Sequence, residues 1–336
     1  MTAKPIDVIH SAMNFEEPDR IPVIPLIGVY SSTITGTPME DILFTPSAQS
    51  DALLKSMWKF KYDGVLNVMD LTVEAQALGA EVVFPPDEFP YILRPPLDKM
   101  EDIDDLSLEN SKDSRIPVFV ESTRMLSEAV GNTHLVSSYI IGPFTLAGHL
   151  LGVAELLEST LEDTASVQNF VSSCRSILTP YLNQLIEAGA HNIVILEPTA
   201  SNSVISPQYF RDYSAPYVQK MITQIHSMSA AATLHICGKT NQIIENMCDT
   251  GADVLSIDSA VDLTDAKQKA HNRSVLLGNV DTTLLLKGTP TDVQNAAKEC
   301  IHEASKGGGF ILSSGCDFPI KTPKENLTAL LKATDK

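Results

Sequence analysis

Residues 192–198 read NIVILEP and residues 232–238 read ATLHICG, and these two segments begin the region with the clearest strand–helix alternation. Each is a short run rich in β-branched residues, typical of a buried strand, and each is followed by a segment with helical periodicity. Strands that alternate with helices predict a parallel sheet with right-handed helical crossovers. The alternation continues through three more strand candidates: VLSID (254–258), SVLLGNVD (274–281) and GFILSSGCD (309–317).

Three further strand candidates lie nearer the N-terminus, which brings the total to eight. Eight strand–helix units favour a closed barrel over an open doubly wound sheet, and no G-x-G-x-x-G follows the first strand. We therefore predict an α/β fold, a single (β/α)8 TIM barrel over residues 1–336 with an N-terminal helix at 5–13. The three additional candidates are IPVIPLIG (21–28), GVLNVMD (64–70) and HLVSSYIIGPF (134–144). The predicted helices that follow are 152–188, 207–229, 240–250, 263–271, 291–305 and 323–333.

An acidic, Pro-rich stretch interrupts this pattern at residues 81–118. It contains FPPDEFPYILRPPL and then EDIDDLSLEN, a composition that favours turns over regular elements. We expect a surface hairpin and a linker here, with the acidic run of residues 101–105 exposed to solvent.

The charge balance excludes several classes of protein. The chain has 24 Lys and Arg against 42 Asp and Glu, a net charge of −18, which offers no basic face for nucleic acid. The N-terminus has charges within its first apolar stretch and no signal-peptide core, so we expect a cytoplasmic protein without membrane attachment. Five cysteines in such a chain favour free thiols or metal ligands over disulfides.

The strongest chemical signal is the sequence His235-Ile236-Cys237-Gly238. Residues two apart on a strand project to the same side, so His235 and Cys237 should point together and Ile236 to the opposite face. Cys316 ends the last predicted strand, at the same edge of a parallel barrel, where active sites are built. One imidazole and two sulfurs suit zinc and leave one coordination position open. The alternative is that the two cysteines are small buried apolar residues and His235 a hydrogen-bonded core residue.

Several segments resemble the uroporphyrinogen decarboxylase superfamily: PDRIPVIPLIG, IIGPFTLAGHLLG, LHICG, GNVDTT and SSGCDFP. Within it, H-x-C with a distant Cys in a GCD context is similar to the zinc methyltransferases that move a methyl group from a corrinoid to coenzyme M. The resemblance implies zinc bound by His235, Cys237 and Cys316. It also implies methylcobalamin or a methylated corrinoid protein as the methyl donor and coenzyme M as the acceptor, in methanogenesis.

Glu197 ends the strand before the one that carries His235, which places it at the barrel mouth. One hypothesis makes it catalytic: it fills the open metal position at rest, or takes the proton of the arriving thiol. The alternative is that it hydrogen-bonds a neighbouring loop or orients His235.

Three other functions remain open. A uroporphyrinogen decarboxylase-like enzyme would carry an arginine-containing motif just after the first strand, whereas this chain has no Lys or Arg between Arg20 and Lys55. A corrinoid methyltransferase directed to tetrahydrofolate would not be expected to keep the full zinc set. A non-enzymatic corrinoid-protein binder with structural zinc would normally need a fourth Cys or His ligand, and none is evident nearby.

Overall fold

The computed structural model describes residues 3–86, 88–109 and 111–334. Its central element is a seven-stranded sheet in which every pair of neighbouring strands is parallel. Apart from a separate hairpin, strands adjacent along the chain are adjacent in the sheet, as helical crossovers require. The strands are β1 Gly64–Leu66, β2 Glu81–Val83, β3 Tyr91–Arg94, β4 Leu135–Ile141, β5 Asn192–Leu196, β6 Ala231–Ile236, β7 Val254–Ile257, β8 Val275–Val280 and β9 Phe310–Ser314, with β2 and β3 forming the hairpin.

The first predicted strand, residues 21–28, is not a regular strand. It makes a single parallel bridge between Val23 and Leu312 of β9. The nitrogen of Leu312 donates to the carbonyl of Pro22 at 2.9 Å, and the nitrogen of Asp63 donates to the carbonyl of Val23, also at 2.9 Å. The segment therefore hydrogen-bonds β9 and the residue preceding β1. Pro22 and Pro25 lack an N–H, and this is why the expected ladder is reduced to one bridge.

Helices connect successive strands of the main sheet. The predicted helix 152–188 is divided at Asp163, whose side chain accepts a hydrogen bond from the nitrogen of Ser166 and caps a new helix. The helices are α1 Pro5–Met13, α2 Ser31–Thr35, α3 Met39–Phe44, α4 Pro46–Phe60, α5 Val73–Ala77, α6 Ile116–Val130, α7 Pro143–Leu151, α8 Val153–Glu162, α9 Thr164–Glu187, α10 Pro207–Tyr209, α11 Ala215–Ser227, α12 Ile244–Asp249, α13 Leu263–Lys269, α14 Thr282–Lys287, α15 Pro290–Ala304 and α16 Lys324–Lys332, with 3-10 turns at Met100–Asp105 and Pro198–Ala200 and a π turn at Phe210–Ser214.

The acidic, Pro-rich stretch contains the antiparallel pair β2–β3 and the 3-10 turn. Four residues of the run 101–105 are exposed, while Ile103 is buried against the main core. Helix α6 begins at Ile116, so the stretch ends at residue 115, three residues earlier than the sequence indicates. None of the helices in the described ranges is long and apolar enough to cross a bilayer.

Two apolar layers lie on the two faces of the main sheet. The smaller layer, which we call the inner layer, contains Val194 and Leu196 of β5. Ile193 and Ile195 belong to the larger layer, which packs against the helices. This is the period of two expected of a strand buried on both faces. A cavity lies within the inner layer, and we call it the inner cavity. His235 of β6 lines it, whereas Ile236 packs on the opposite face of the sheet, as the H-x-C spacing predicts.

Candidate metal centre

His235, Cys237 and Cys316 converge where β6 and β9 end. Their donor atoms all lie within 4.8 Å of one another, with the Nε2 atom of His235 2.9 Å from the Sγ atom of Cys237 and 3.7 Å from that of Cys316. The two sulfur atoms are 3.2 Å apart, well beyond a disulfide bond of about 2.05 Å. Among the described residues, these three form the one group of at least three His, Cys, Asp or Glu side chains this close together.

The thiols of Cys237 and Cys316 shift each other's pKa because they are in contact. A hydrogen bond joins the two sulfur atoms, and this bond together with the neighbouring His235 holds the pKa of Cys316 well below its usual value despite burial. The same hydrogen bond, together with burial, raises the pKa of Cys237. Of the two thiols, Cys316 is thus the more easily deprotonated. Thiolates and neutral imidazole are the donor set that zinc prefers, so the residues fit that ion.

The turn after β6 fixes Cys237. The next residue, Gly238, has φ of +78°, and a Cβ atom there would lie 3.0 Å from Ser203 Oγ. Its nitrogen donates to the Asp258 carboxylate at 3.0 Å, which links the end of β6 to the loop after β7. A glycine is therefore required immediately after the cysteine.

A second glycine places Cys316. A Cβ atom on Gly315 would lie 2.6 Å from the nitrogen of Ser259, so the chain after β9 approaches the loop after β7 closely. The nitrogen of Gly315 also donates to the carbonyl of Val280 at 2.8 Å. This close approach brings Cys316 to the end of β6, although two strands, β7 and β8, lie between β6 and β9 in the sheet.

Ser256 orients the imidazole. It pairs with His235 in the β6–β7 register, and its buried hydroxyl lies 2.9 Å from the His235 Nδ1 atom. Metal-bound histidines commonly engage their second ring nitrogen in this way, which fixes the ring and its tautomer. With Nδ1 engaged, Nε2 is directed at the sulfur atoms.

We expect Ser256→Ala to weaken zinc binding about 10- to 100-fold, the usual effect of removing such a partner. Competition with a chromophoric chelator measures the affinity. Ser274→Ala is the matched control, because Ser274 is also buried but its hydroxyl donates to the carbonyl of Ala252. Equal zinc affinity in wild type and Ser256→Ala would exclude this role for Ser256.

Glu197 does not join the three-residue group. It follows β5 in the same alternation as Ile193 and Ile195, and is fully buried. Its carboxylate accepts hydrogen bonds from the nitrogens of Phe144 at 3.0 Å and Thr145 at 2.9 Å, and from the Ser214 hydroxyl at 3.0 Å. It thereby caps the N-terminus of α7. Burial raises the pKa of Glu197, and these hydrogen bonds oppose the rise.

The alternative prediction, that Glu197 hydrogen-bonds a neighbouring loop or orients His235, is the nearer to these contacts, although the carboxylate's partners are the first turn of α7 and Ser214. We expect Glu197→Gln to lower the free energy of unfolding by about 1–3 kcal/mol, because the amide turns a donor towards the helix N–H groups. Zinc content should not change. Chemical denaturation and metal analysis of the same preparations check both expectations. Loss of zinc at unaltered stability would instead support the catalytic hypothesis.

Other polar residues around the strand ends hold loops. Asp258 accepts from the nitrogens of Gly238 and Ala260, and the Asn279 amide donates to the carbonyls of Asp258 and Val261. Burial raises the pKa of Asp317. Two residues beside His235 were not predicted from the sequence. Ser256 is paired with His235 in the register of β6 and β7, which only the structure shows, and Tyr139 lines the inner cavity beside His235.

The chain is similar to known proteins over almost its whole length. The family model described as uroporphyrinogen decarboxylase (URO-D) matches residues 4–336. A methylcobamide:CoM methyltransferase (MtbA) from Methanosarcina mazei is 29% identical, and one from Methanosarcina acetivorans is 27% identical; both alignments cover 98% of this chain and 96% of the relative. A solved structure, a methyltransferase from Methanosarcina mazei, has a TM-score of 0.90 at 27% identity and covers 99% of this chain and 98% of that one.

Proposed function

The chain belongs to the uroporphyrinogen decarboxylase family, and we propose that it is a zinc-dependent methyltransferase that delivers a corrinoid-borne methyl group to the thiol of coenzyme M. Its nearly full-length relatives are named as methylcobamide:CoM methyltransferases, which supports methyl transfer as the reaction. The donor would be methylcobalamin or a methylated corrinoid protein, and the process methanogenesis.

One observation carries the proposal: one imidazole nitrogen and two cysteine sulfurs lie within 4.8 Å of one another at the C-terminal end of the parallel sheet. We interpret the segment at Val23 as the eighth strand position of a (β/α)8 barrel, whose active site lies at this end of the strands. Three donors leave room for a fourth ligand, as catalytic zinc sites do.

His235, Cys237 and Cys316 would hold the zinc. When bound, zinc deprotonates a coordinated thiol, and the thiolate is the form of sulfur that attacks a methyl carbon. Ser256 holds the ring of His235, and Gly238 and Gly315 fix the backbone beside the two cysteines. The chain thus supplies a rigid donor set, while the reactivity of the methyl donor belongs to the corrinoid.

Two alternative enzymes fit the site less well. A decarboxylase acting on a substrate with many carboxylates needs cations near the first strand, and residues 21–54 contain neither Lys nor Arg. A methyltransferase that delivers to tetrahydrofolate needs no thiol-activating metal, so the three-donor group would have no role.

The non-enzymatic alternative, a corrinoid-protein binder with structural zinc, would require a fourth Cys or His ligand. The group found among the described residues has three members.

Incubation with methylcobalamin and 2-mercaptoethanesulfonate tests the proposal. We expect 2-(methylthio)ethanesulfonate by mass spectrometry, with spectral conversion of methylcobalamin to the reduced corrinoid under anaerobic conditions. A chelated, zinc-free sample is the control and should be inactive until zinc is restored. Methyl transfer to tetrahydrofolate but not to this thiol, or decarboxylation of uroporphyrinogen, would contradict the proposal.

A further inference from the structure

We propose that Lys239 binds the sulfonate of the thiol substrate and so selects an anionic thiol; this inference rests on the proposed function. Lys239 is exposed and follows the metal ligand Cys237 by two residues. Between the ends of the main-sheet strands and the helices that follow them, the sequence contains two basic residues, Lys239 and Lys321. Lys321 is five residues from Cys316, so Lys239 is the nearer of the two to a ligand along the chain.

The backbone of Lys239 is held on several sides. Its nitrogen donates to Ser203 Oγ at 3.3 Å, and its carbonyl accepts from the nitrogen of Asn202 at 2.9 Å and from Ser201 Oγ at 3.3 Å. The preceding nitrogen, that of Gly238, is bonded to Asp258. The Cα atom of Lys239 therefore keeps a fixed position relative to Cys237, and the flexible part of the residue is its side chain.

The span suits a two-carbon thiol. Two residues along the chain separate Cα atoms by at most about 7 Å, and the lysine side chain can extend back over that distance. In 2-mercaptoethanesulfonate, two methylene groups separate the thiol from the sulfonate. A thiol held at the Cys237–Cys316 pair would thus place its sulfonate within reach of the Lys239 ammonium.

The charge around the site explains why a cation is needed there. Asp258 and Asp281 follow the ends of β7 and β8, and a zinc ion with two cysteinates and a substrate thiolate would carry a net negative charge. The sulfonate of that substrate is repelled by these groups. No ion pair engages Lys239 within the described ranges, so its ammonium is available to an incoming anion.

Calorimetric titration of the zinc-loaded protein with two thiols tests the inference. The probes are 2-mercaptoethanesulfonate and 2-mercaptoethanol, which have the same carbon chain but differ in the anionic group. We expect wild type to bind the sulfonate thiol more tightly, and Lys239→Gln to reduce the ratio of the two affinities about 10- to 100-fold. Lys239→Arg should keep most of the preference. Lys298→Gln, an exposed change on α15, is the matched control and should keep the wild-type ratio.

The ratio separates recognition from general damage, since a misfolded site would weaken both thiols together. An unchanged ratio in Lys239→Gln would overturn the assignment, as would loss of the preference in Lys321→Gln alone. Failure of methyl transfer in wild type would contradict the proposed function, and the binding ratio would still report whether Lys239 recognises the sulfonate.

Discussion

Replacing Cys237 with alanine is expected to abolish both zinc binding and methyl transfer. The residue supplies one of three donor atoms and is also hydrogen-bonded to Cys316. Removing a ligand should exceed the roughly 100-fold loss of affinity that follows removal of an outer hydrogen-bond partner. Zinc analysis after gel filtration and the methylcobalamin assay measure the two effects. Cys316→Ala should behave in the same way.

Cys248→Ala provides the control for this pair. Cys248 is buried on α12, outside the three-residue group, and burial raises its pKa. The variant should keep its zinc and its activity even if it loses some stability. A Cys237→Ala protein that retains one zinc per chain and full activity would exclude the metal centre described above.

A buried ion pair between Arg115 and Asp70 is expected to contribute strongly to the stability of the fold. The guanidinium of Arg115 binds the carboxylate of Asp70, and their side chains are 3% and 0% exposed. Arg115 also donates to Thr72 Oγ1 at 2.7 Å, and its guanidinium lies 4.7 Å from the centre of the Phe84 ring. Every part of this arginine is thus engaged.

We expect Arg115→Met to lower the free energy of unfolding by about 3–5 kcal/mol, because it leaves the charge of Asp70 buried without a cationic partner. Urea denaturation measures the change. Lys55→Ala is the matched control: Lys55 pairs with Asp51 on the exposed face of α4, and losing that pair should cost about 0.5 kcal/mol or less. A loss below 1 kcal/mol in Arg115→Met would show that the pair is not a major stabilising contact.

The order of the elements could be predicted from the sequence because burial on both faces gives each strand a continuous apolar run. Seven of the eight predicted strands form the main sheet in chain order. The exception, at residues 21–28, contains two prolines. Their missing N–H groups prevent a regular ladder but do not alter the apolar pattern from which a strand is predicted. Likewise, Asp163 interrupts an otherwise helical pattern at 152–188 by capping the second helix.

The proximity of His235 and Cys237 could be predicted for a related reason: the strand period alone puts the two side chains on one side. Contacts that join distant segments could not be predicted. Arg115 lies at the end of a stretch expected to be a surface linker, yet it is buried against Asp70. Glu197 follows a strand, but the odd-numbered residues of β5 face the helices, so its carboxylate reaches α7.

Zinc X-ray absorption spectroscopy, before and after addition of coenzyme M, counts the sulfur ligands of the proposed zinc site. With His235, Cys237 and Cys316 as the ligands, the resting protein should show two sulfur donors, and saturation with coenzyme M should raise the count to three. Cys316→Ala, if it retains any metal, should show one sulfur at rest. A sulfur count that stays at two in the presence of saturating coenzyme M would contradict the account.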